Sequence, residues 1–284
     1  MVSSFHDALR FAPEWAYPMH NLALAHAEQG DFALAEDDYR QAMRLAPAYS
    51  YLPYNLALLN QRMNRLADAE SLYRVALREA EDARNSGLVP PVSPWAERAN
   101  ILNALGTVAA AKRSYKIAQE SYEQALKEDP QLSAAKYNLA VLLSRKTPSP
   151  QAVQLWRENI VAEPTTLASR LALAQYFKKY GDNSEAILEY EEAVQVAPNH
   201  AGARRELARL YASANRWQDA YGQLGEARKQ MPDDAGIAEE YGDVAVKLGR
   251  MAEGGAAYRE AIRLYTAKPD RKRIEGKLSG LGKM

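Results

Sequence analysis

An all-α solenoid of stacked antiparallel helix pairs is the fold class that this 284-residue sequence predicts, and three observations predict it. Pro13 and Pro47 stand 34 residues apart, and Pro130, Pro164, Pro198 and Pro232 follow at the same step. Small and aromatic residues keep a fixed register ahead of the prolines: Tyr39 and Ala42 before Pro47, Tyr122 and Ala125 before Pro130, Tyr190 and Ala193 before Pro198. Ala35, Ala118, Ala152, Ala186 and Ala220 repeat further back. Each period holds two apolar runs of helical spacing broken by a turn, as in AEQGDFALAEDDY around Gly30 and KKYGDNSEAILEY around Gly181. Two short helices cannot bury an apolar face alone, so a period of this length means stacked units sharing one continuous core.

The elements follow in order. Residues 1–15, with Phe5, Ala8, Leu9 and Pro13 in register, read as the second helix of an incomplete repeat. Either the chain is a piece of a longer protein or this half-unit is a cap. Seven units come next, at 16–49, 50–83, 99–132, 133–166, 167–200, 201–234 and 235–268. First helices carry a Leu-Ala or Leu-Gly pair: Leu22–Ala23, Leu56–Ala57, Leu105–Gly106, Leu139–Ala140, Leu173–Ala174 and Leu207–Ala208. Alanine or glycine where helices cross lets backbones approach, and Tyr39, Tyr73, Tyr122, Trp156, Tyr190 and Tyr258 fill the space beside them.

The second unit has Glu81 where proline is expected, and an inserted connection occupies 84–98. There Gly87 stops one helix, and Ser93 with Pro94 caps and starts the next; Ser149 and Pro150 do the same in the fourth unit. The seventh unit replaces the small alanine by Gly254 and the proline by Thr266. Residues 269–284 form a capping helix or tail, in which Ile274, Leu278 and Leu281 make an apolar stripe and Gly276, Gly280 and Gly282 weaken the helix. Its excess of Lys and Arg reads as a solvated end.

Composition removes whole classes of function. Lys plus Arg and Asp plus Glu each total 36, so nothing in the charge balance favours nucleic acid as a partner. No apolar run approaches the roughly 18–20 residues that cross a bilayer, and insertion in a membrane is not expected. Without cysteine there are no disulfides, thiolate nucleophiles or cysteine zinc sites. His6, His20, His26 and His200 include no i, i+4 pair for a metal, and His26 falls at a packed position. Neither a phosphate-binding glycine loop nor a nucleophile elbow is present. No catalytic residue, metal or cofactor is expected.

The 34-residue pattern resembles the tetratricopeptide repeat family over nearly the whole chain. Residues 167–200 match best, with Leu173, Ala174, Phe177, Gly181, Ala186, Tyr190, Ala193 and Pro198 in place. The resemblance implies a right-handed superhelix of repeats.

Counted from the start of each unit, positions 7, 8 and 11 pack inward, leaving 2, 5, 9 and 13 as a separate stripe with 6 and 12 beside it. In stacked repeats that stripe lines the concave side, where extended ligands bind. Asn21, Asn55 and Asn138 all fall at position 6, in HNLALA, YNLALL and YNLAVL. Asparagine inside a helix costs roughly 0.5 kcal/mol or more against alanine, and an amide that meets the main chain of an extended peptide accounts for the penalty. Tyr17, His20, Tyr51, Tyr54 and Tyr137 stand at positions 2 and 5, Leu24, Leu58, Thr107 and Val141 at 9, and Asn100 and Asn103 at 2 and 5 of the third unit. The arrangement resembles the asparagine ladder in the repeat regions of protein O-GlcNAc transferase and kinesin light chain, confined here to the first four units. The competing reading is that these side chains stitch neighbouring repeats together.

A second, charged groove has Arg205 and Arg209 facing Glu239, Glu240 and Asp243, which either bind a ligand or pair with one another. Repeats of the cochaperone type that grip a C-terminal carboxylate carry Lys and Asn where this chain has His20 and Leu24, so a carboxylate clamp is disfavoured. The reading is a noncatalytic protein-interaction scaffold binding an extended peptide or protein segment. Its alternatives are a self-assembling, homo-oligomeric module and the substrate-recruiting region of an enzyme whose catalytic domain lies elsewhere.

Overall fold

A computed structural model describes residues 5, 8, 10–12, 14–87 and 94–281, the last stretch with side chains from residue 97. His6, Leu9, Pro13, Ser93 and residues 282–284 lie outside the described residues. Phe5 and Ala8 are helical and half-buried. From Ala16 onward the described residues form fifteen α-helices and no strand. The chain divides into two compact units, 1–155 and 156–284.

The first unit holds α1 (Ala16–Gln29), α2 (Phe32–Leu45), α3 (Tyr51–Arg62), α4 (Leu66–Asn85), α5 (Pro94–Ala111), α6 (Tyr115–Glu128) and α7 (Ser133–Leu143). The division falls inside α8 (Pro150–Ala162). The second unit continues with α9 (Leu167–Lys179), α10 (Asn183–Val196), α11 (Ala201–Ser213), α12 (Trp217–Gln230), α13 (Ala235–Lys247), α14 (Met251–Leu264) and α15 (Lys268–Leu281). Within each unit this is an α-solenoid: odd-numbered helices are first helices of their pairs, even-numbered ones second. Helix α4 runs on to Asn85 and α5 starts at Pro94, five residues before the third repeat begins by its register.

A recurring backbone device turns six of the seven pairs, all but α7 and α8. Gly30, Asn64, Arg113, Gly181, Asn215 and Gly249 all adopt positive φ directly after a first helix. The following N–H then reaches back to a carbonyl five residues earlier, as from Asp31 to His26 and from Asp182 to Phe177, both 2.9 Å. This left-handed stop satisfies carbonyls that the helix end leaves without partners. The sequence marks it at the glycines and hides it at Asn64, Arg113 and Asn215.

Small-beside-large packing forms the core. Ala23, Ala57, Ala140, Ala174 and Ala208 on first helices are fully buried, as are Ala35, Ala69, Ala118, Ala186 and Ala220 on second helices. Tyr39, Tyr73, Tyr122, Trp156, Tyr190 and Tyr258 are buried as well. Where glycine replaces the first-helix alanine, the ring moves in: a Cβ on Gly106 would lie 2.5 Å from Tyr122 Cε1, and one on Gly242 2.7 Å from Tyr258 Cδ1.

Helix α15 closes the stack. Ile274 is fully buried with Tyr258 and Ala261, and Leu278 and Leu281 pack against the same cluster. Its positive charge is not all solvated: Arg273 and Lys277 bind Glu239, and Lys277 also bonds Asp243 at 2.6 Å. The helix thus takes the place that the first helix of another repeat would occupy.

Candidate functional site

The first unit positions its candidate residues through the 34-residue register. Leu24 on α1, Leu58 on α3 and Val141 on α7, all at position 9, are about 40% exposed although apolar. Leu24 and Leu58 line a cavity of about 480 Å³ together with Asn55. Ala27, Tyr39, Leu59, Gln61 and Arg62 complete its wall, and sequence reasoning named none of these as site residues. Gln61 had a signal: it stands at position 12, beside the stripe. It accepts from Tyr73 Oη at 3.0 Å and donates to Thr107 Oγ1 at 3.4 Å, so Thr107 joins a network across three helices.

The asparagines do not all stand alone in the groove. Asn55 Nδ2 donates to His20 Nε2 at 2.8 Å, and Asn138 Nδ2 donates to Asn103 Oδ1 at 2.9 Å. Each bond joins position 6 of one repeat to position 5 of the repeat before it. One N–H of each amide therefore stitches neighbouring helices, while both side chains stay half-buried and Asn55 lines the cavity. His20 Nδ1 is buried without a partner. Burial lowers the His20 pKa against a smaller upward pull from Asn21, so the ring is neutral and Nε2 accepts.

Aromatic side chains gather at the start of α1 and α3. Tyr17 and Tyr49 are more than half exposed, as is Trp15. Trp15 and Tyr17 lie 6.1 Å apart, Tyr49 stacks on Tyr51 at 5.6 Å, and His20 meets Tyr51 edge-on at 5.1 Å. Tyr54 differs: its ring packs 5.5 Å from Tyr73 at the edge of the core, and burial raises its pKa. Tyr137 is half-buried and Asn100 exposed. His26 is half-buried and bonds Asp38 at 2.7 Å, tying α1 to α2.

In the second unit the charged groove is largely consumed by its own pairs. Arg205 binds Glu240 through Nε at 3.0 Å and Nη2 at 2.7 Å, and Arg209 reaches the same carboxylate at 2.6 Å. Burial pushes the Glu239 carboxyl up, but bonds from Arg273, Lys277 and Tyr265 outweigh it and hold the group at about 2. Among the described residues no group of three or more His, Asp or Glu could hold a metal ion, and no helix is long and apolar enough to cross a membrane.

Models of the tetratricopeptide repeat match residues 16–49, 103–146, 179–239 and 213–269, together more than half of the chain. The chain belongs to the tetratricopeptide repeat family. Tetratricopeptide repeats are protein-interaction scaffolds, generally without catalysis of their own, and this chain shares their fold. It resembles a tetratricopeptide repeat protein from Parabacteroides merdae at TM-score 0.57 and 17% identity, covering 94% of this chain and 98% of that one. The C-terminal part of a repeat protein from Cytophaga hutchinsonii matches at TM-score 0.64 and 14% identity, over 88% and 97%. The Cut9–Hcn1 hetero-tetramer of the APC/C matches at TM-score 0.62 and 14% identity, over 84% of this chain and 45% of that one. No curated protein sequence matches significantly.

Proposed function

We propose that this tetratricopeptide repeat chain is a noncatalytic scaffold whose first unit takes an extended peptide or protein segment along its inner groove. The observation that carries the reading is the cavity walled by Leu24, Asn55 and Leu58, three side chains placed there by one register. Position 9 supplies apolar surface, and leaving leucine exposed at a repeated place costs solubility unless something covers it. Asn55 spends one amide hydrogen on His20 and retains its carbonyl oxygen, an acceptor for a main-chain N–H. The ladder in this reading both stitches and binds. Tyr17, Tyr51 and Tyr137 add contact area with little entropy to lose.

The test is Asn55→Ala combined with Asn138→Ala. Each change removes a side-chain bond worth about 1 kcal/mol and returns about 0.6 kcal/mol of helix propensity, so stability should move little. Affinity for peptides selected from a random library by the intact protein should fall. Lost stability with unaltered affinity leaves only stitching, and the groove reading fails.

A further inference from the structure

A cavity of about 640 Å³ in the second unit lies where sequence reasoning saw only charges. Its rim carries Arg209, Glu240, Asp243 and Lys277, but these are committed to partners: Glu240 to two arginines, Asp243 to Lys277 and the Tyr258 hydroxyl. What remains is the floor, built from Ala212, Trp217, Val244 and Leu281, and one cation, Lys247. Among the described residues Lys247 makes no ion pair; its ammonium lies 5.8 Å over the Trp217 ring. We propose that this cavity is a second binding site, for a partner segment that sets apolar side chains beside a carboxylate.

Size and charge support that class of occupant. Binding cavities for organic groups run about 300–1,000 Å³ and are mostly apolar with a few polar anchors, as here. Most of the lining comes from α11, α13 and α15, with Trp217 and Leu224 added from α12 and Tyr258 from α14. Three neighbouring helices at about 8–10 Å spacing span about 20 Å, the length of about six extended residues. A floor of this volume holds two or three apolar side chains, and Lys247, without a carboxylate of its own, selects an acidic neighbour. A rim bearing both signs suits a chain with polar groups along its length better than an acyl tail with one charged head. The site does not depend on the peptide groove of the first unit.

The experiment is fluorescence anisotropy with the full chain and a labelled hexapeptide placing Leu and Phe beside Asp. Saturable binding is expected, weakened about tenfold when Lys replaces Asp and lost when Ser replaces Leu and Phe. Lys247→Glu should reverse the charge preference. Gly280→Phe and Ala212→Leu should fill the cavity and abolish binding; a Cβ on Gly280 meets nothing within 4 Å, so its melting temperature should not fall. Asn55→Ala should leave this affinity unchanged. No saturable binding, binding indifferent to both filling variants, or one-to-one uptake of decanoate in place of the peptide would each overturn the proposal.

Discussion

At the scale of single residues, glycine and tyrosine show how the packing rule works and where it has slack. Tyr190 is buried among Ala174, Ala186 and Leu207, and Tyr190→Ala should cost about 3–5 kcal/mol, read as a fall in the denaturation midpoint. An unchanged midpoint would remove Tyr190 from the core. Gly106→Ala should also destabilise, by about 1 kcal/mol, because the new methyl meets a buried ring that has nowhere to go. Gly276→Ala, on α15, should do the opposite and gain about 0.5–1 kcal/mol, since a Cβ there meets nothing. Stabilisation at both glycines would show that backbone propensity, not packing, decides both. Sequence spacing identified the buried tyrosines but not the bond from Asn55 to His20. Spacing says which residues share a face; which neighbouring atom a short amide reaches depends on helix crossing and rotamer.

At the scale of elements, the left-handed turns and the closing helix carry the testable strain and charge. Arg113 holds φ of 62° at a place where other repeats use glycine. A residue with a Cβ loses about 1–2 kcal/mol there, and glycine returns part of that as unfolded-state entropy. Arg113→Gly should therefore raise stability by about 0.5–1 kcal/mol in urea unfolding, and a loss would mean that the arginine side chain contributes more than its backbone strain costs.

Docking of α15 should depend on acid. The Glu239 carboxyl titrates at about 2 in the folded chain against 4.5 ordinarily, so its contribution is complete above pH 4.5 and disappears as pH falls toward 2. Hydrogen exchange in residues 268–281 should rise across that window, and Glu239→Gln should flatten the dependence. The stripe of Ile274, Leu278 and Leu281 made this helix legible in the sequence. The role of Arg273 and Lys277 was not, because charge alone does not reveal whether a carboxylate lies opposite.

For the whole molecule, the period was legible because proline, alanine and tyrosine each mark a fixed step, and the division into units at 155 and 156 was not, because the helix that crosses it keeps its register. Ending the chain before Lys268 should uncover Tyr258, Ile262 and Leu264, and the shortened protein should associate with rising concentration in sedimentation velocity. A shortened chain that stays monomeric with an unchanged melting temperature would show that α15 is dispensable.

The bond from position 5 to position 6 of the next repeat has a consequence for how the chain is ordered. His20 meets Asn55, Asn103 meets Asn138, and Arg205 meets Glu240, so the same joint is made with three different chemistries. Setting the repeat that holds Glu240 behind the one that holds His20 would leave a carboxylate facing a neutral ring, and Arg205 with Asp234 alone in place of its bonds to Glu240. Adjacent blocks are keyed, and a shuffled gene with its segments permuted should assemble worse than one that preserves these neighbours.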